Sequence, residues 1–321
     1  MAPSVPIKRA RWPNIGLPEP SMNPLNLSRL KRTFNVALVA AFGYLLTASM
    51  TLNVSLRVPD GIVLASDSLA TLMGNFNQKM NVPATCQTCG TSFELKDVQT
   101  PPMAIPSSTW PYAQKMYPLQ GRYGLATYGS GYVNARSIYN HVIGLDSKLP
   151  PPEEKDHFEK TSQVIVQYFQ EQLFAQWKKS GIDPALQPDD FRPFGFQLVG
   201  FTKDANGEPI PNTQLIGIGK QPKIDRFDSI GCTRSGDGSV VSLLWNQQAG
   251  AVANFSAFSL QDAIDYAKFL IRTTADFQRF SGRLPTVGGE IDIALITNHR
   301  GFRWIAQKEL YRILDKPEAT V

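Results

Sequence analysis

The sequence predicts an α+β fold in which antiparallel sheets stack on one another beneath a cover of helices. Three observations carry that expectation. Near the start of the body, Thr51 to Val58 alternates strictly between apolar and polar residues and runs into the turn signal Pro59-Asp60-Gly61, which reads as one arm of a hairpin. Two long segments, His157 to Lys179 and the run after Ser259, carry apolar residues at helical spacing. The order along the chain is strands, helices, strands, one helix, strands, which suits stacked sheets better than alternating βαβ units.

The elements follow in order. In the first strand Leu52, Val54, Leu56 and Val58 face one way and Asn53, Ser55 and Arg57 the other, the pattern of a half-buried strand. Ile62 to Ser66 is an apolar strand that should pair with it antiparallel. Residues 72–113 are polar and proline-rich, break the pattern, and read as a surface insertion. Strands resume over Lys115 to Pro118 and Gly121 to Thr127. Gly129-Ser130-Gly131 reads as a tight turn and Val133 to Ile143 as a helix. After the stop at Pro150-Pro151-Pro152, the helix from His157 to Lys179 places Phe158, Ile165, Phe169, Leu173 and Trp177 near helical spacing. Phe194 to Phe201 and Thr213 to Ile218 read as strands around the turn at Asn206-Gly207. Ser259 with Asp262 has the form of a capping box. Leu260, Ala263, Ile264, Ala267, Leu270, Ile271 and Thr274 then mark one helical face. Glu290 to Thr297 and Phe302 to Ile305 complete a last hairpin.

The charge balance divides the chain. Residues 1–50 hold six cations (Lys8, Arg9, Arg11, Arg29, Lys31, Arg32) against Glu19, a net of five, which equals the net charge of the whole 321-residue chain. The body, 51–321, is therefore neutral and carries no electrostatic footprint for nucleic acid. No glycine-rich phosphate loop follows a strand and no His-rich metal motif is present. Three cysteines cannot build a disulfide framework, which makes a reducing cytoplasm the default location. Cys86 and Cys89 form half of a zinc-ribbon knuckle without the partners to complete it, and Cys232 reads as a buried strand cysteine. Phe34 to Met50 is an uncharged run of 17 residues behind a basic flank. It fits a removable propeptide, an upstream start that is not used, an export signal, or a short membrane anchor.

The block from Thr51 through Asp60-Gly61 to Ala65-Ser66-Asp67-Ser68 resembles the opening of proteasome β-type subunits, including the bacterial proteasome-like peptidases and the ancestral bacterial β-type homologues. In that family a processed N-terminal threonine starts the first strand and an aspartate lies sixteen residues on, as Asp67 does from Thr51. Lys115-Met116-Tyr117-Pro118-Leu119, followed by Gly129, keeps the spacing of the family's lysine block. Lys79, in Gln78-Lys79-Met80, is the rival lysine, but no glycine turn and helix follow it at that spacing. The resemblance covers residues 51–305 apart from the insertion.

What the resemblance implies is a four-layer αββα sandwich with an N-terminal threonine nucleophile. Thr51 would be both nucleophile and base, Lys115 its electrostatic partner, Asp67 the orienter of that lysine, and the Gly129 N–H an oxyanion donor. Ala70 and Thr127 would line the substrate pocket. The chemistry is sound on its own terms. A threonine hydroxyl needs an adjacent base, and an N-terminal threonine supplies one, its own amine, whose unperturbed pKa is about 7.7–8.0. A nearby ammonium favours the neutral form of that amine.

The sequence departs from the family at three places. Met50, not glycine, precedes Thr51, which fits translation from Met50 followed by its removal better than autolysis. Asp237, in Gly236-Asp237-Gly238, stands where the family has serine, with Ser235 and Ser239 beside it. Thr286-Val287-Gly288-Gly289 aligns with the motif before the final strand, but Arg283 stands where an aspartate is expected; Asp276 and Ser281-Gly282 are the nearest replacements. The resemblance thus implies a threonine peptidase or amidohydrolase without cofactor, acting on peptides or proteins. It further implies a homo-oligomeric ring or helix, with an ATP-dependent unfoldase as a partner of such assemblies. The alternative is a non-catalytic β-type subunit with an assembly or binding role.

Overall fold

The computed structural model describes residues 48–49, 51–76, 79–85, 92–99, 103–154, 156–245, 253–282 and 285–308. All belong to the unit Ala40–Val321, one of two into which the chain divides. The leader readings for residues 1–47 and Met50, and the half-knuckle Cys86 and Cys89, lie outside the described residues.

In chain order the strands are β1 (Ala48–Ser49), β2 (Leu52–Val58), β3 (Gly61–Asp67), β4 (Ala70–Phe76), β5 (Lys79–Thr85), β6 (Ser92–Gln99), β7 (Met103–Trp110), β8 (Met116–Leu119), β9 (Tyr123–Ser130), β10 (Tyr132–Val133) and β11 (Arg136–Ser137). Helices α1 (Ile138–Leu145) and α2 (His157–Lys179) follow, then β12 (Phe194–Lys203), β13 (Pro209–Ile218), β14 (Lys223–Phe227), β15 (Gly231–Gly236), α3 (Ser239–Leu244), α4 (Leu260–Phe280), β16 (Ile291–Thr297) and β17 (Gly301–Ala306). The fold is α+β with antiparallel sheets. One large sheet has the order β1-β9-β12-β13-β14, with β8 sharing an edge of β9; the other runs β15-β2-β3-β16-β17.

Three apolar clusters show why these elements pack as they do. The first sets Leu125, Phe194, Phe196 and Ile216 of the first sheet against Ile138 and Val142 of α1 and Phe158, Phe169 and Trp177 of α2. The second sets Leu52, Val54, Leu56, Val63 and Ala65 of the second sheet against Ala263, Ala267, Leu270 and Ile271 of α4. The third contains Ile62, Leu64 and Ala294 from one sheet with Met116, Ala126 and Val199 from the other. Each sheet therefore presents one face to helices and the other to its fellow sheet.

This corrects the first strand's predicted half-burial, because every residue of β2 is buried. Its polar face meets the other sheet and is hydrogen-bonded both to it and to the neighbouring strand β15. Arg57 Nη1 donates to Thr213 Oγ1 at 3.0 Å and Thr233 Oγ1 at 2.7 Å. Gln197 Nε2 donates to Ser55 Oγ at 2.7 Å, and Asn53 Nδ2 donates to Thr127 O at 3.0 Å and Ser235 Oγ at 3.1 Å. Polar groups can be buried when they are paired in this way.

Other differences have local causes. The predicted helix from Val133 starts at Ile138. Asn134 and Ala135, at φ 49° and 63°, turn the β10–β11 hairpin first, and Ser137 then caps the helix by accepting from Asn140 N at 3.3 Å. Residues 72–113, read as an insertion without strands, contain most of two nested ladders: β4 pairs with β7 and β5 with β6. Their pairing rests on backbone groups, and two-stranded ladders leave each strand an edge that tolerates Pro83 and Pro106. Strands β14 and β15 and helix α3 were not anticipated. The capping box is present, with Ser259 and Asp262 bonded reciprocally at the head of α4. Among the described residues, no helix is long and apolar enough to cross a membrane.

Phe169 is fully buried, its ring centroid 4.5 Å from that of Phe196 and 5.9 Å from that of Phe194. Phe169→Ala should lower unfolding free energy by about 3–5 kcal/mol, measured as a reduced midpoint in urea at unchanged slope.

Candidate active site

The β2–β3 hairpin places two of the sequence-predicted residues together. Asn53 pairs with Ser66, so Thr51 and Asp67 fall at the open end of the ladder. Thr51 is buried, and its Oγ1 donates a short hydrogen bond to Asp67 Oδ1. The same carboxylate oxygen accepts from Leu52 N at 2.9 Å. Its other oxygen accepts from Leu69 N at 3.1 Å and Gly288 N at 3.0 Å. Backbone on both sides of the site therefore fixes Asp67.

Lys115 arrives from the other sheet, immediately before β8, where Thr127 N donates to its carbonyl at 2.8 Å. Its ammonium donates to Thr51 Oγ1 at 2.6 Å, Asp67 Oδ1 at 3.0 Å and Leu69 O at 2.5 Å. Three protons meet three acceptors, so the group is fully used. Burial pushes the Lys115 pKa down, and the adjacent Asp67 carboxylate opposes that shift. The rival Lys79 lies in β5, its backbone paired with Gln99.

Two glycines permit the close approaches. Gly236, at φ +85°, sits where a Cβ would fall 1.8 Å from Thr51 O. This lets Asp237 N donate to that carbonyl at 2.6 Å. Gly129, at φ +80°, would place a Cβ 2.5 Å from Pro193 O. It is the penultimate residue of β9, and β1 pairs there, Ser49 opposite Gly129 and Ala48 opposite Ser130. Ala70 and Thr127, the expected pocket residues, line one cavity with Lys115 and Gly129.

The remaining expectations divide. Asp237 is present, its Oδ2 accepting from Gln278 Nε2 at 2.8 Å and Thr286 Oγ1 at 3.0 Å. Asp276 is a correction: it is exposed on α4, on the side of the helix away from the buried stripe that continues from Thr274 to Gln278. Ser281 hydrogen-bonds back to Gln278 O, Ser235 lies between the sheets against Gln197, and Ser239 donates to Asp237. Arg283 lies outside the described residues.

Sequence reasoning missed Gln278. Its Oε1 accepts from Thr286 N at 2.9 Å and Val287 N at 3.0 Å, which positions the segment that brings Gly288 to Asp67. The available signal was a glutamine four residues beyond Thr274, on the apolar stripe of α4. Outside this cluster, Asp292 and Lys308 form a buried ion pair. Cys232 is a strand cysteine of β15 but half-buried rather than buried as expected, and desolvation pushes its thiol up to about 12. His141 and His157 spend their ring nitrogens on tyrosines and backbone carbonyls. No group of three or more metal-ligating residues occurs among the described residues.

No protein-family model matches the chain, and no curated protein matches it. Among solved structures, it is similar to one titled Anbu (Gly-1) mutant, from Hyphomicrobium sp. strain MC1. The two are 13% identical, the match covers 81% of this chain and 89% of that one, and the TM-score is 0.45.

Because the folded Lys115 pKa lies below its ordinary value of 10.5, the unfolded chain binds more protons than the folded one between those two values. Stability should therefore gain from this group as pH rises through that window. Lys115→Met should remove that component, seen as a flatter dependence of urea-unfolding free energy on pH on the acid side of 10.5. An unchanged slope would contradict the assignment.

Proposed function

We propose that the chain is a threonine-type amidohydrolase of proteasome β type, a peptidase whose nucleophile is Thr51 once the residues before it are removed. The observation that carries the reading is the buried triad of Thr51 hydroxyl, Lys115 ammonium and Asp67 carboxylate, held at the open end of one hairpin. On this reading the two helix-covered sheets are the four-layer αββα sandwich of N-terminal nucleophile hydrolases.

The chemistry follows from the contacts. With Thr51 first in the chain, its α-amine takes the hydroxyl proton as Oγ1 attacks the amide carbonyl. The Lys115 ammonium, 2.6 Å from Oγ1, stabilises negative charge developing there and keeps the neighbouring amine largely neutral. Asp67 holds that ammonium charged and in place, since an unpaired buried charge is costly. The Gly129 N–H is the oxyanion donor. The protonated amine then delivers its proton to the leaving nitrogen, leaving an acyl ester on Thr51. Water attacks that ester with the amine again acting as base.

One observation favours a second reading. The backbone of Ala48–Ser49 pairs with Gly129–Ser130 beside Thr51, so the uncleaved chain occupies the edge a substrate would use and blocks the amine. A chain that keeps this segment would be a non-catalytic subunit with an assembly or binding role. Homo-oligomerisation accompanies either reading and is checked by light scattering.

N-terminal sequencing of the purified protein separates the two. The catalytic reading expects Thr51 as the first residue, stoichiometric modification by an epoxyketone, and loss of at least about 10³-fold in kcat for Thr51→Ala. Retention of earlier residues in every purified chain would refute it. The alkaline limb of the rate profile should fall below the ordinary lysine range, because burial lowers the Lys115 pKa and loss of its proton removes the positive charge beside Thr51 Oγ1.

A further inference from the structure

The cavity beside Thr51 has a composition that points to what it holds. Its volume is about 890 Å³. Trp110, Tyr112, Tyr117, Tyr132, Tyr139 and Trp304 all line it. Four of these (Trp110, Tyr112, Tyr132 and Tyr139) are 47–63% exposed, and they are the only exposed tryptophans and tyrosines among the described residues. Aromatic rings left open to water and gathered at one concavity mark a site for an apolar ligand.

Charge selection follows from what is missing from the wall. Among the described residues lining the cavity, Lys115 is the one charged side chain, and all three of its protons are already bonded within the triad. A carboxylate or ammonium entering the cavity would lose its water and find no counter-charge. The Tyr117 hydroxyl is also spent, donating to Gln114 O at 2.6 Å.

The chain itself marks which side of the scissile bond enters. Ala48 and Ser49 lie on the acyl side of the Met50–Thr51 peptide, and they pair with Gly129–Ser130. Gly129 and Gly131, on either side of Ser130, line the cavity. Much of the remaining wall comes from the two nested ladders β4 to β7, which form an arm: Ala70 to Leu72 of β4, and Trp110 at the end of β7 with Pro111 and Tyr112 after it, where Trp110 pairs with Ala70.

We propose, building on the peptidase reading, that this cavity selects a bulky, uncharged apolar or aromatic side chain on the acyl side of the scissile amide, and that Trp110 and Tyr112 of the arm set the selection. These two are specificity residues and touch none of the triad atoms described above.

The test uses the purified chain with blocked coumarin-amide peptides carrying Phe, Trp, Leu, Ala, Lys or Asp at the acyl position. The Phe, Trp and Leu substrates should exceed Lys and Asp in kcat/KM by at least about 10-fold. Trp110→Ala and Tyr112→Ala should each lower the bulky substrates about 10-fold, chiefly through KM, with the Ala substrate changed by less than about 2-fold. Equal rates, a preference for charge, or equal losses on all substrates would overturn the proposal while leaving the peptidase reading intact. If no substrate is cleaved, the peptidase reading fails and calorimetry decides the cavity. Tighter binding of a blocked tripeptide amide ending in Phe than of its Lys counterpart, lost in Trp110→Ala, supports the proposal. Equal or absent binding overturns it.

Discussion

The contact between the Lys115 ammonium and the Asp67 carboxylate, with the Thr51 hydroxyl bonded to both, is the constraint around which the described fold is arranged. Lys115 comes from one sheet and Asp67 from the other, so their bond ties the two sheets together where they converge. A buried ion pair is poor value for stability alone, because desolvation offsets much of the attraction. The surroundings limit that cost by satisfying each remaining atom. The carboxylate receives Leu52, Leu69 and Gly288 N–H groups, and the ammonium reaches Leu69 O. The segment at Gly288 is in turn set by Gln278, a buried side chain of α4.

The same logic extends through the space between the sheets. Arg57, Asn53 and Ser55 point away from α4 into that space and are met by Thr213, Gln197 and Thr127. Such a network discriminates against misregistered stacking, since a slip of one residue would exchange its polar partners for Leu52, Val54 and Leu56. The apolar face of the same strand packs on α4. One alternating strand thus serves two interfaces, and Thr51 at its head is held from both sides.

The arm of β4 to β7 supplies a different kind of contribution. It is joined to the body directly after the Asp67 strand and returns just before Lys115. Its base therefore lies beside the triad, and residues from both of its ends line the cavity there. Chemistry and pocket wall are linked through the backbone at these two junctions.

Much of this is legible in the amino-acid sequence. Thr51 and Asp67 were readable because a tight hairpin converts their spacing into proximity, and the boundaries of His157–Lys179 were readable because helical period and local stops are sequence properties. Asp276 was misplaced because proximity in sequence to a motif does not say which face of a helix a residue occupies. Gln278, on the buried face, reaches the site instead. The arm's strands were hidden because their pairing depends on backbone hydrogen bonds between segments up to about 40 residues apart, with no alternating pattern to announce it. The sequence by itself determined the hairpin, the two long helices and the residue types able to do acid–base and nucleophilic work. Only the tertiary structure decided that one Lys115 ammonium bonds Thr51, Asp67 and the Leu69 carbonyl together, and that aromatic rings from the arm and from β10, α1 and β17 line one cavity. Those outcomes depend on how two sheets and an arm converge, which is a property of long-range packing and is written in no local stretch of the chain.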